Sequence, residues 1–338
     1  MDRQVDGMVT SPARQTLADR FLASCGWQDS SRVRIAGDAS NRAYDRLTRA
    51  EGGTAILMDA PPETGEDTRP FVHVAAHLRR IGLSAPEVLA ADESTGFLLL
   101  EDLGDGLFAR LMQQDPTTET PLYRAAVDVL IALHAADILP LPPCDADWLI
   151  DMTDPFFEWY LHREDATDRA AFHAAFRPCA ELVAAAPRVT ILRDYHAQNL
   201  LWLPDRHGVA RVGLLDFQDA LSGHRAYDLV SVLQDARRDV SPETKTEMLE
   251  YYLSRTHVDE AEFRRDYAAL GLQRNLRILG IFARLAKRDG KPSYVDLVPR
   301  VWEYVKRNLA HPDLAPVARA LAALPDPTPD FLEQLKAR

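Results

Sequence analysis

The sequence ILRDYHAQNLL at residues 191–201 and the sequence GLLDFQD at residues 213–219 decide the fold of this chain. In the first, a short apolar run leads to Asp194, and Asn199 follows it in the same loop. In the second, another apolar run ends at Asp216. Phosphoryl transfer needs a carboxylate to accept the proton of the attacking hydroxyl, and an amide and a second carboxylate to hold Mg²⁺ on ATP. The two sequences therefore predict such a site, with Asp194 as the base.

Each motif alone also has an ordinary structural explanation, since Asp and Asn are common in turns and caps. The joint arrangement is more specific. The apolar runs Val189–Leu192 and Val212–Leu215 are predicted strands, and their separation fits a hairpin that carries both carboxylates. On this interpretation Asn199 and Asp216 are the metal ligands.

The roles of three neighbouring residues are less determined. His196 could line the substrate site or close the loop through a hydrogen bond, and the structural role is favoured. Asp219 could support a second metal ion or form an Asx-turn. Asp228, at the start of a predicted helix, is expected to brace the catalytic loop through backbone N–H groups rather than to contact substrate.

The rest of the chain predicts two lobes. With 338 residues it is too long for one small core. Five short strands and one helix are predicted up to Glu101, and nearly every later segment has helical spacing. We therefore expect an α+β protein with a β-rich first lobe over 1–101, a glycine-bearing hinge over 102–106, and a mostly helical second lobe over 107–338.

The first lobe contains a candidate phosphate-binding loop, GDASNR at residues 37–42. Small polar residues between strands let backbone N–H groups approach phosphate oxygens. Ser40 and Asn41 are the candidate donors, and Arg42 is the candidate cation. Because the loop has one glycine, an ordinary hairpin turn is the alternative.

The hinge offers a second candidate contact with a nucleotide. From their order after the last strand, the backbone groups of Glu101, Asp102 and Leu103 could hydrogen-bond an adenine edge. A plain loop is the alternative.

Composition excludes several classes of function. The net charge of -12 and the lack of a basic stripe argue against a nucleic-acid partner. No apolar run reaches membrane-spanning length, and no signal core begins the chain, so a cytoplasmic protein is expected. The three scattered cysteines indicate free thiols. Oligomeric state is not determined by the sequence.

The catalytic motifs resemble the aminoglycoside phosphotransferase-like superfamily, in which His follows two places after the catalytic Asp. Within it the chain is more similar to the anomeric sugar kinases of peptidoglycan recycling, which phosphorylate N-acetylmuramate and N-acetylglucosamine at C1. The closer resemblance lies in GDASNR at 37–42, LMDAPPE at 57–63, LLEDLGD at 99–105, RDYH at 193–196 and RLxxRDGK at 284–291.

This resemblance implies a protein-kinase-like fold, ATP and Mg²⁺ as cofactors, and an amino sugar as the small-molecule substrate. The sugar is expected among the helices of the second lobe. Glu158, Trp159, His196 and Arg274 are the candidate substrate residues. Core packing is an equally good explanation of the aromatic segment 155–161.

The chain departs from the superfamily in its third strand. Met58 stands near the place of the lysine that pairs with nucleotide phosphates, and no lysine precedes Lys245. Arg42 or another arginine must then supply that charge, which a guanidinium can do. The alternatives are a phosphotransferase for an aminoglycoside or another small molecule, and a non-catalytic nucleotide- or sugar-binding pseudokinase.

Overall fold

The computed structural model of the chain describes residues 12–35, 41–161 and 166–337. The chain forms two compact units. The first comprises Met1–Arg80 and Ser84–Asp105, and the second comprises Ile81–Leu83 and Gly106–Arg338.

The first unit is built on a five-stranded antiparallel sheet of order β1-β2-β3-β5-β4. Its strands are β1 Ser31–Ile35, β2 Ala43–Thr48, β3 Thr54–Asp59, β4 Val88–Asp92 and β5 Phe97–Glu101. Its helices are α1 Pro12–Ser24 and α2 Arg69–Arg80, with a 3₁₀ turn at Pro62–Thr64. The turn between β2 and β3 uses Gly52 and Gly53 at φ 93° and 92°, a conformation that costs glycine little.

Helix α1 covers one face of this sheet. Phe21 and Leu22 of α1 join Leu57 and Phe97 of the sheet in one buried apolar cluster. At the edge of the cluster, Arg14 Nη2 lies 2.6 Å from an Asp59 carboxylate oxygen, and both side chains are buried. Since loss of one partner strands a buried charge, breaking such a pair costs about 3–5 kcal/mol.

The second unit is mostly helical. Its helices are α3 Phe108–Gln114, α4 Glu119–Ala135, α5 Ala146–Asp151, α6 Ala166–Ala185, α7 Ala226–Leu233, α8 Pro242–Arg255, α9 Glu260–Lys287, α10 Val298–Leu309, α11 Ala315–Ala320 and α12 Pro329–Lys336. The 3₁₀ turns are Pro116–Thr118, Gly208–Arg211, Pro292–Leu297 and Pro312–Leu314. The strand-rich first unit and the helical second unit confirm the predicted fold class.

Two small antiparallel sheets flank the two motifs that contain Asp194 and Asp216. Strand β6 (Arg188–Ile191) pairs with β9 (Leu221–His224), and β7 (Leu200–Trp202) pairs with β8 (Val212–Leu214). The predicted hairpin between the strands before Asp194 and Asp216 is therefore wrong. The apolar run after Asn199 is β7, which pairs with β8 because only a short connection separates them in sequence.

The aromatic segment 155–161 contains a π-helix over Phe156–Tyr160. Phe156, Phe157 and Tyr160 are buried, so this segment packs largely as core. It lies against α9 at Gly280, where an added Cβ would come 2.2 Å from the carbonyl carbon of Pro155. Among the described residues, no helix is both long and apolar enough to cross a membrane.

Candidate active site

The loop that follows β6 is fixed by one buried carboxylate. Asp228, in the first turn of α7, accepts the backbone N–H groups of Leu192 at 2.7 Å and Arg193 at 2.8 Å. Burial raises the pKa of the Asp228 carboxyl to about 6, although these two hydrogen bonds oppose the shift. Because Asp228 is completely buried, it positions the loop and does not reach a ligand.

The carboxylate of Asp194 is presented by a strained backbone. Arg193 and Asp216 have φ of 69° and 58°, and they are the non-glycine residues with positive φ in the described ranges. Such conformations cost about 1–3 kcal/mol each and cluster at functional sites. The Asp194 side chain is partly exposed, and its carboxylate has no hydrogen-bond or ion-pair partner among the described residues. It is free to accept a proton.

Asn199 connects the two predicted carboxylates. Its side-chain nitrogen donates to the backbone oxygen of Asp194 at 2.9 Å and to Asp216 Oδ2 at 3.3 Å. Its backbone oxygen accepts the N–H of Leu215 at 3.0 Å, which holds the loop against the end of β8. The structure thus brings together the three residues that the sequence assigned to the base and the metal.

The donor set fits Mg²⁺. Because its nitrogen makes both hydrogen bonds, Asn199 keeps its amide oxygen without a partner in the described chain. Asp216 adds a carboxylate, whose Oδ1 accepts Gln218 Nε2 at 2.7 Å. Mg²⁺ prefers such oxygen ligands and completes its shell with phosphates and water. The described residues contain no group of three or more His, Cys, Asp and Glu that could hold a metal alone, so these few ligands suit a metal carried on a nucleotide.

His196 is buried beside this network. Arg237 Nη1 lies 3.0 Å from its Nε2. A guanidinium nitrogen can only donate, so Nε2 accepts and the proton of the neutral ring lies on Nδ1. Burial, with the nearby charges of Arg237 and Arg274, holds the His196 pKa well below its usual value. The imidazole is only 4% exposed, which places it behind the loop rather than on a substrate surface.

The other candidate substrate residues of the second unit lie on different elements, Arg274 on α9 and Glu158 and Trp159 on the π-helix. Arg274, on α9, is buried and donates from Nη2 to Ser231 Oγ at 2.5 Å. Ser231 Oγ donates in turn to the backbone oxygen of Arg193 at 3.2 Å, which ties α9 to the catalytic loop. Glu158 lies on the π-helix with an exposed carboxylate 4.0 Å from Arg169, and Trp159 beside it is partly buried.

The candidate phosphate-binding residues of the first unit lie partly outside the described residues, because Ser40 falls in 36–40. Asn41 Nδ2 donates to the backbone oxygen of Thr64 at 3.5 Å, at the limit of a hydrogen bond. Arg42 Nε donates to Glu66 Oε2 at 2.7 Å, and both side chains are largely buried. The guanidinium that the sequence assigned to a phosphate thus has a carboxylate partner just before α2.

Of the residues predicted to contact adenine, Glu101 and Asp102 use their side chains within the first unit. Glu101 accepts from Arg79 Nη1 at 3.3 Å, and Asp102 Oδ2 lies 2.8 Å from Arg46 Nε. The backbone of Leu103 makes no hydrogen bond to another described residue. Its N–H and C=O are therefore available to a ligand.

Several contributing residues were not found from the sequence. Gln218 fixes the Asp216 carboxylate, Ser231 links α9 to the loop, and Glu66 pairs with Arg42. Gln218 directly follows the second motif, so its position alone could have indicated it. No local pattern marks the other two, because their partners are distant in sequence.

Comparison with known families gives one match over most of the chain. The model of a family described as "Phosphotransferase enzyme family" matches residues 31–270. A protein of Caulobacter vibrioides named N-acetylmuramate/N-acetylglucosamine kinase is 43% identical, over 91% of this chain and 96% of its own length. A protein of the same name from Pseudomonas aeruginosa is 35% identical, over 91% of this chain and 94% of its own length.

Solved structures share the fold at low sequence identity. A putative aminoglycoside phosphotransferase from Ralstonia eutropha has a TM-score of 0.63 and 16% identity, over 87% of this chain and 98% of that one. A choline/ethanolamine kinase family protein from Mesorhizobium loti has a TM-score of 0.60 and 17% identity, over 91% of this chain and 99% of that one. These similarities concern the fold alone.

Proposed function

This chain belongs to the phosphotransferase enzyme family, and on that premise we propose that it is an ATP-dependent sugar 1-kinase. Its proposed substrates are N-acetylmuramate and N-acetylglucosamine, phosphorylated at the anomeric hydroxyl in cell-wall recycling. The names of relatives up to 43% identical support these substrates. The observation that carries the chemistry is the unpartnered Asp194 carboxylate, held beside Asp216 by the Asn199 amide.

In the proposed mechanism Asp194 orients the C1 hydroxyl and takes its proton as the phosphoryl group is transferred. An anomeric hydroxyl is more acidic than an ordinary sugar alcohol, so Asp194 need not be a strong base. Asn199 and Asp216 would hold Mg²⁺, which neutralises charge on the phosphate oxygens when bound. Asp228 and the Asn199 hydrogen bonds keep the base in place, and most of the rate enhancement comes from this positioning.

A cationic acceptor such as an aminoglycoside fits the charges of this loop less well. Such a ligand needs several free carboxylates, whereas Arg193, Arg274 and Arg277 all interact with the acidic groups of the loop. A non-catalytic binding protein is the second candidate. It is favoured by the pairing of Arg42 with Glu66 and by the absence of a lysine before Lys245.

The test is ADP release in the presence of ATP and Mg²⁺, with N-acetylmuramate, N-acetylglucosamine, choline and an aminoglycoside as acceptors. Release with the two sugars only is the expected result, and phosphorus NMR of the product should place the phosphate on C1. Release with the aminoglycoside or choline alone would replace the proposed acceptor. ATP binding without release for any acceptor would favour the binding protein.

A further inference from the structure

Helix α9 reaches the catalytic loop through Arg274, and the next arginine on that helix is Arg277. The chain of hydrogen bonds from Arg274 through Ser231 to the backbone oxygen of Arg193 fixes this part of α9 beside the loop. Residues three apart on a helix are neighbours on its surface. Arg277 therefore lies one step along α9 from a residue that contacts the loop directly.

Arg277 differs from Arg14, Arg42 and Arg274 in having no hydrogen-bond or ion-pair partner among the described residues. Arg14 and Arg42 are paired with carboxylates, and Arg274 donates to a hydroxyl. Arg277 makes no hydrogen bond or ion pair with any residue in 12–35, 41–161 or 166–337. A buried charge without a partner is costly, so its retention requires an explanation.

The guanidinium of Arg277 is nevertheless reachable. Arg277 is partly buried. Some side-chain nitrogens of the described residues are fully buried and have no hydrogen-bond partner, such as Arg193 Nε and Arg274 Nε, but no nitrogen of Arg277 is among them. Its unpartnered nitrogens must therefore open onto accessible space. The five N–H groups of a guanidinium form a planar fork that matches a carboxylate.

Charges of both signs act on Arg277. Burial lowers its pKa most, and the charges of Arg193 and Arg274 also lower it, while Tyr227 and Asp194 raise it. Asp194 is thus close enough to interact with Arg277, as Arg193 and Arg274 are, but no carboxylate of the described residues pairs with Arg277. A second anion placed there would relieve the repulsion.

We propose that Arg277 binds the lactyl carboxylate of N-acetylmuramate and thereby determines the preference of the site for that sugar. This inference rests on the proposed function, because it takes the acceptor from it. N-acetylmuramate carries its carboxylate on an ether at C3, where N-acetylglucosamine has a hydroxyl. The two sugars are otherwise alike, so N-acetylglucosamine is a neutral control for the same reaction.

The experiment compares kcat/KM for the two sugars in the wild type, Arg277→Gln and Arg277→Lys. Because Arg277→Gln removes a charge-assisted hydrogen bond, we expect it to lower kcat/KM for N-acetylmuramate by about 30-fold. The value for N-acetylglucosamine should change by about threefold or less. Arg277→Lys should recover part of the loss, since it keeps the charge and not the planar fork. Arg264→Gln is the matched control, because Arg264 lies on the same helix but pairs with Glu250 and Glu260 at the surface.

Parallel losses for both sugars in a folded Arg277→Gln protein would overturn the proposal, because they would assign Arg277 to ATP or to the catalytic loop. Turnover of N-acetylglucosamine but not of N-acetylmuramate by the wild type would overturn it as well. Calorimetric binding of N-acetylmuramate distinguishes failure of the proposed function. Binding that weakens in Arg277→Gln, without turnover of either sugar, refutes the kinase activity and supports the carboxylate site.

Discussion

Three arginines of the first unit and two arginines near Asp194 in the second unit differ in their partners. In the first unit Arg14, Arg42 and Arg46 each form ion pairs with carboxylates of that unit. Around the catalytic loop of the second unit, Arg193 donates to a backbone oxygen, and Arg277 has no partner among the described residues. Paired charges stabilise a fold without attracting a ligand, whereas an unpaired cation in a low-dielectric setting attracts an anion. We therefore expect the chemistry to depend mainly on the second unit.

Backbone conformation follows the same division. In the described residues of the first unit, positive φ occurs only at glycines, such as Gly52 and Gly53 in a hairpin turn. In the second unit Arg193 and Asp216 adopt it beside the predicted base and metal ligand. The surrounding hydrogen bonds, above all those of Asp228, must offset this strain. Strain retained at non-glycine residues is expected where side-chain position matters more than stability.

The strongest test of this comparison removes the base. Asp194→Asn keeps the shape of the side chain but removes its ability to take a proton, so kcat should fall by about 10²-fold or more, the scale of general-base catalysis. ATP binding should be largely unchanged, because the Asn199 hydrogen bond uses the backbone oxygen of residue 194. Turnover measured by ADP release, with ATP affinity measured by calorimetry, checks both expectations.

Asp205→Asn is the matched control for this variant. Asp205 is an exposed residue in the connection between β7 and β8, and its substitution should leave kcat within about twofold of the wild type. Near-normal turnover in Asp194→Asn would remove Asp194 from the role of base.

The second test asks whether the ion pairs of the first unit are only structural. If Arg42 replaces the missing strand lysine, Arg42→Gln should raise KM for ATP by about 30-fold, as loss of a charge-assisted hydrogen bond predicts. Glu66→Gln should change KM for ATP less, because the guanidinium stays in place without its 2.7 Å partner. Steady-state kinetics at varied ATP concentration would measure both values.

Arg69→Gln is the control, since Arg69 is exposed and pairs only with Asp67 at the surface. Thermal unfolding of each variant separates a loss of fold from a loss of affinity. If Arg42→Gln and Glu66→Gln lower the melting temperature equally and leave KM for ATP unchanged, Arg42 is a structural residue.

The sequence predicted local features better than distant pairings. The five strands of the first unit and the catalytic motifs were found because apolar runs and turn residues lie together in the chain. The pairing of β6 with β9 was missed, since LSGH at 221–224 is short and lacks the alternation of a strand. The Arg42–Glu66 pair and the isolation of Arg277 could not be predicted, because both depend on which side chains tertiary packing brings together.

The third test measures how the buried His196 of the second unit makes the stability of the protein depend on pH. This imidazole is buried next to Arg237, and its pKa is held well below the usual value. Below about pH 6.5 the unfolded chain binds a proton that the folded protein excludes, so stability is present above that pH and is lost as pH falls. Between pH 7.5 and pH 5.5 the free energy of unfolding should fall by about 1.4 kcal/mol on account of His196.

Urea unfolding of the wild type and His196→Gln at both pH values measures the contribution of His196 to this fall in the free energy of unfolding. His196→Gln is expected to be less stable than the wild type at pH 7.5, because a packed side chain is replaced, but to lose less stability on acidification. His257→Gln, at an exposed histidine of the same unit, should keep the full pH dependence. An unchanged acid loss in His196→Gln would mean that His196 takes up a proton in the folded protein. A buried imidazolium next to Arg237 and Arg274 would then require an anion nearby.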